Sequence, residues 1–190
     1  MKRQQKEYIL QCIGVVLITW SLLNIFFTVR DGSWQHVFWL SNHIGLVLGS
    51  AVLLRKSYWI TAELALGFVG EMGWSVDYVG KILFDIHILG STSYLFVEGY
   101  PSTLFFSTLQ HLFIIPLGVW ALWLLAKPEP AAWKGALFHA CVLLLISFPF
   151  GVSLNLNCFL ESCVSWIPTF PWYPLFWMIV YFGVFVIPIH

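Results

Sequence analysis

Charged side chains are scarce in this sequence. Lys and Arg number 9, Asp and Glu another 9, and charged residues make up 9% of the chain, against about 25% in soluble domains. With zero net charge and no basic stripe, nucleic acid is excluded as a partner. No internal repeat, low-complexity tract or Pro/Ser linker interrupts residues 1–190, so a single domain is expected. No C-x-x-C-H, H-x-x-x-H or E-x-x-H spacing occurs, so no cofactor and no metal is expected; haem on His43 and His111, or a metal held by His43, His111, Glu71 and Asp77, is disfavoured. The G-x-S-x-G elbow of soluble hydrolases is also missing.

What is present is apolar. Hydrophobic residues make up 59% of the chain and aromatics 18%, with 11 Trp, and the mean hydropathy is +0.84. These values predict an integral membrane protein with membrane lipid as its surroundings. At about 20 residues per crossing, the apolar runs predict an all-α bundle of six transmembrane helices, near 8–29, 37–54, 58–80, 104–126, 134–154 and 172–189. The first run follows a basic head, as in a signal peptide, but is too long and has no small-x-small cleavage pattern, so a retained helix is expected. With the N-terminus inside, the inner segments hold Lys2, Arg3, Lys6, Arg55, Lys56, Lys127 and Lys134, and the outer ones only Arg30 and Lys81. This bias predicts both termini inside.

The third run, YWITAELALGFVGEMGWSVDYVGKI, carries Glu63, Glu71, Asp77 and Lys81. At 100° per residue these share a face about 120° wide with Gly67, Gly70, Trp74 and Tyr78. Ionisable groups within a span face a bundle interior or a watered cavity, because lipid exposure is costly. Counting turns places Ser41 and Asn42, Glu71, Trp74 and Asp77, Gln110 and His111, and Asn155 in the same outer half of the membrane. Four helices thus send polar groups to one level. Glu63 and His139 belong to the inner half, Glu63 facing Arg55 or Lys56. Pro116 is expected to loosen its helix one turn earlier, near Leu112.

Ser41 and His111 form the sharpest pair. A serine hydroxyl becomes a nucleophile when a base takes its proton, and histidine is the usual base. Glu71 or Asp77 would orient that histidine; Asn42, Gln110 or Asn155 would donate to an oxyanion, with Trp74 beside the substrate. The plain alternative is structural: Ser41 bonding a helix carbonyl, His111 satisfied by neighbours, and the carboxylates pairing with Lys81. Two non-hydrolytic readings stay open: a membrane scaffold or accessory subunit for an unknown protein partner, and a proton-coupled carrier relaying through Glu63, Glu71 and Asp77. Cys158 and Cys163 face an outer, oxidising side where a disulfide is permitted. Residues 85–102 are expected to fold back as a lid or to lie among headgroups.

Several stretches together resemble a set of small uncharacterised bacterial multi-pass membrane proteins, over nearly the whole chain. They are SNHIGLVLGSAVLLRKSYW, GEMGWSVDYVGKIL, LGSTSYLF, STLQHLFIIPLGVWAL, NLNC and VFVIPIH. In those relatives a Cys often precedes the helix-2 Asn; Ser41 stands there in this chain. More distantly, QHLFIIP, with GSW at 32–34 and WYP at 172–174, resembles the androgen-induced family of six-helix membrane hydrolases of fatty-acid esters. That family uses Thr on helix 2 and His on helix 4; a related family of lipid acyltransferases uses Cys with His. This chain has no Thr at the helix-2 position. The resemblance implies Ser41 as nucleophile, His111 as base, a lipid ester as substrate and a bacterial cytoplasmic membrane as location.

Overall fold

The computed structural model describes residues 1–32, 34–125, 127–154, 161, 167–168 and 170–186. Every regular element among them is helical. In chain order they are α1 (Arg3–Arg30), a 3₁₀ turn (Trp34–Phe38), α2 (Leu40–Leu53), α3 (Ser57–Phe84), a short 3₁₀ turn (Ser93–Phe96), α4 (Ser102–Thr108), α5 (His111–Leu125), a 3₁₀ turn (Pro130–Ala132), α6 (Trp133–Leu154) and α7 (Tyr173–Val180), which runs into a π turn (Tyr181–Val186). Arg3–Arg30 and the combined stretch Ser102–Leu125 are long and apolar enough to cross a membrane; Leu40–Leu53 and Pro130–Ile146 are shorter apolar helices. α3 is as long as α1, at 28 residues, but carries the four ionisable groups.

α1 buries Leu10, Ile13, Gly14, Leu17, Ser21, Asn24 and Thr28, a stripe at three- and four-residue steps. It packs on α2 at a crossing where backbones touch. A methyl group added to Gly49 would stand 2.9 Å from the Gly14 carbonyl, and one added to Gly14 would stand 2.9 Å from the Gly49 carbonyl. Only glycine allows that approach. The main core then runs through Leu17, Leu48, Val52, Ile60, Leu64, Ile114 and Ala121. A smaller core joins Ala62, Ala65 and Leu66 of α3 to Ala136 and Ala140 of α6, closed by Tyr181 and Val186 of the π turn.

Two expectations change. The fourth run is not continuous: it breaks at Leu109 and Gln110, between α4 and α5. Pro116 sits inside α5, so the interruption falls just before His111 rather than near Leu112. There Leu112 N bonds to Leu109 O and Phe113 N to Gln110 O, the tighter spacing of a helix start. The second run also begins late, because Trp34–Phe38 winds as a 3₁₀ turn before α2. Asn155, Cys158 and Cys163 lie outside the described residues.

The outer surface of these helices is oily. Leu22, Phe26, Phe68, Val76, Val79, Trp123, Phe138 and Leu145 are exposed. The polar residues Asn24, Asn42, Glu63, Glu71, Asp77 and Gln110 are buried. Fully buried carboxylates and amides are the exception in soluble domains.

Candidate functional site

Three helix contacts set the level of the site. Gly67 of α3 faces Ile44 of α2, its methyl position lying 2.7 Å from Ile44 Cδ1. Gly45 of α2 faces Ile114 of α5 across 3.6 Å, and Gly118 of α5 faces both Leu48 and Leu64. α2 and α5 therefore run in parallel, and α3 runs against them. One turn further on, toward the N-terminal ends of α2 and α5 and the C-terminal end of α3, stand Ser41 on α2, Glu71 on α3 and His111 on α5. The three form one transverse layer.

Within it, His111 turns toward α3. Its Nδ1 lies 2.7 Å from Glu71 Oε2, with side-chain exposures of 11% and 3%. The approach is close but off the hydrogen-bond direction, so both atoms lack an aligned partner. The imidazole stacks on Trp74, with centroids 4.5 Å apart and planes at 19°, and Trp74 stacks in turn on Tyr78 at 5.2 Å. The α3 backbone is tied to the same point, because Ser75 Oγ lies 3.0 Å from the His111 carbonyl and 2.8 Å from that of Glu71.

Ser41 is half-buried in the first turn of α2. No hydrogen bond joins its hydroxyl to His111 among the described residues. Its carbonyl accepts from Gln110 Nε2 at 3.4 Å. The same amide stands 3.3 Å from Asn42 Oδ1, which also accepts from Asn24 Nδ2 of α1. Asn42 Nδ2 donates to the His36 carbonyl at 2.9 Å. This is a buried amide network beside the serine. One of its atoms, Gln110 Oε1, is buried without a hydrogen-bond partner.

Asp77 is not beside the histidine of the layer. Its carboxylate accepts the backbone N–H groups of Leu89 (2.6 Å), Gly90 (3.0 Å) and Thr92 (2.8 Å) and the Thr92 hydroxyl (2.6 Å), with His87 Nδ1 at 3.2 Å. It thereby folds the 86–92 segment back onto α3. Tyr94 follows from that segment and accepts a hydrogen bond from Trp74 Nε1 at 3.0 Å; burial pushes its hydroxyl up to about 12. The 86–94 segment therefore rests on the tryptophan that covers His111. Lys81 pairs with Asp85 at 2.5 Å, not with Glu71 or Asp77.

Glu63 does not meet Arg55, which lies 3.6 Å from Glu7 instead. Glu63 is wholly buried, and both its oxygens lie 2.9 Å from His139 Nδ1. His43 does not join His111; its Nε2 is 3.0 Å from the Val37 carbonyl. Among the described residues no three His, Cys, Asp or Glu side chains are disposed to hold a metal ion.

Sequence reasoning passed over Asn24, Thr92 and Tyr94. Asn24 had a signal: Ser21, Asn24 and Thr28 are polar residues at helical spacing in an apolar run. Thr92 and Tyr94 had none, since their roles follow from how a loop folds back. No family model matches the chain, and neither a curated protein nor a solved structure proves similar to it.

Proposed function

We propose that this chain is a six-span integral membrane protein with both termini inside, and that the Ser41–Glu71–His111 layer cleaves or transfers the acyl group of a membrane lipid ester. The observation that carries the chemistry is the buried carboxylate 2.7 Å from His111 Nδ1, at the level of Ser41 on the neighbouring helix. The exposed apolar side chains and buried polar ones support the membrane reading, as does the Lys/Arg bias.

In this scheme a small turn of the Glu71 carboxylate aligns the 2.7 Å contact and keeps Nδ1 protonated, leaving Nε2 as the base. His111 Nε2 takes the Ser41 proton as Oγ attacks the ester carbonyl. The second Nδ2 hydrogen of Asn42 stands on the serine side to serve the carbonyl oxygen as negative charge develops, while the Gln110 amide, committed to the Ser41 carbonyl and Asn42 Oδ1, holds Asn42 in place. The imidazolium then protonates the departing alcohol, and water or a second alcohol releases the acyl group by the reverse transfer. A serine–histidine contact that is open without substrate and closes on binding is ordinary for such sites. Trp74, stacked on His111, walls the site, and the segment anchored by Asp77 covers it.

The test is labelling by a serine-reactive fluorophosphonate lipid in nanodiscs. Wild-type protein is expected to label, and Ser41→Ala and His111→Ala each to abolish it. Labelling that survives Ser41→Ala refutes the assignment. A folded wild-type chain that never labels points to the non-enzymatic scaffold.

A further inference from the structure

A second carboxylate–imidazole pair lies deeper along α3. Glu63 and Glu71 are two turns apart, roughly 12 Å along the helix. Each is buried, and each faces a histidine from a different helix: His139 of α6 and His111 of α5. Neither has a Lys or Arg within ion-pair distance among the described residues. The Tyr181 hydroxyl lies between them. It donates to the carbonyl of Leu66, which stands on α3 between the two acids. His43 of α2 packs edge-on against His139, with centroids 6.3 Å apart. Glu63 thus faces His139 from α6, with His43 of α2 behind His139 and the Tyr181 hydroxyl one turn further along α3, at Leu66.

A purely structural acid in such a position gains most from a full hydrogen-bond set, as Asp77 has, or from a permanent cation. An imidazole is the one basic partner that exchanges its proton near neutral pH. Chains of acidic and histidine side chains inside membrane bundles carry protons. We propose that Glu63–His139 and Glu71–His111, bridged by the Tyr181 hydroxyl, form a proton-transfer path along α3. Its ligand is the proton alone. At each carboxylate one proton binds as the previous one leaves to its imidazole. At Tyr181 the oxygen accepts one proton while its own moves on, so no bond other than O–H and N–H changes. This path rests on the membrane-spanning reading above; it shares Glu71 and His111 with the acyl-transfer scheme but needs no reaction at Ser41.

The experiment is proton uptake into proteoliposomes loaded with pyranine, driven by a valinomycin potassium potential. Wild-type vesicles are expected to acidify at least about tenfold faster than protein-free vesicles. Glu63→Gln and His139→Gln should each return the rate to the protein-free value, while Glu98→Gln, in the exposed loop, should leave it unchanged. Wild-type flux equal to that of empty vesicles overturns the path. So does wild-type flux retained by either inner variant; His139→Gln decides if Glu63→Gln does not fold. Fluorophosphonate labelling, read on the same preparations, separates this outcome from that of the hydrolase reading.

Discussion

Asp77 and Glu71 are six residues apart on one helix, and burial alone does not distinguish them: their exposures are 0% and 3%. Their surroundings do. Asp77 receives three backbone amides and a hydroxyl, and its lone pairs are occupied. Glu71 has a close but misaligned imidazole, and its Oε2 is left without a hydrogen bond. A saturated carboxylate holds structure; an undersaturated one beside a base is available for chemistry.

Exchanging the two roles by mutation tests that contrast. Glu71→Gln removes the charge but keeps the shape. It is expected to slow fluorophosphonate labelling about 100-fold, while the melting temperature in detergent stays within a few degrees of wild type. A labelling rate equal to wild type would remove Glu71 from the site. Asp77→Ala should do the opposite. It strands buried donors and releases the 86–92 segment, costing about 3 kcal/mol. Denaturant unfolding and faster hydrogen exchange at Leu89, Gly90 and Thr92 would report it. Unchanged exchange at those amides would show that Asp77 does not hold the segment.

Smaller effects sharpen the picture. Gly49→Ala pushes a methyl group toward the Gly14 carbonyl and should cost about 2 kcal/mol in thermal unfolding; a neutral result would mean that α1 and α2 slide apart freely. Tyr94→Phe removes one hydrogen bond from Trp74 and should cost about 1 kcal/mol, with an upfield shift of the Trp74 indole N–H resonance as the local readout.

The smallest effect is at the surface. Asp31 is held below its ordinary 3.8 by the hydrogen bond from Arg30, helped by Thr103. A depressed carboxyl stabilises the fold above its unfolded value and loses that contribution as pH falls through the folded one. The α1–α4 tie should therefore loosen only below about pH 3.8, and Asp31→Asn should remove that acid step from the pH profile of melting.

Much of the helical layout was legible because apolar periodicity and the Pro-bearing links are local properties of the chain. The polar level was legible for the same reason: Ser41, Glu71 and His111 can be counted along their helices. The break at Leu109–Gln110 was not, because Pro116 marks a weak helix without saying which turn yields. The partners of the acids were not legible either. Glu63 was expected to meet the nearby Arg55 and instead meets His139, 76 residues away. A carboxylate takes whichever donor the packing brings within about 3 Å, and chain proximity says little about that.

Composition and hydropathy thus determined by themselves that the chain is helical, apolar on its outside and polar at a few internal levels, since each depends only on residue type and helical spacing. The tertiary structure alone decided which acid became an anchor and which was left facing an imidazole. That choice rests on distances between helices, set by the glycine crossings and by the return of one loop onto α3, and no single segment contains them.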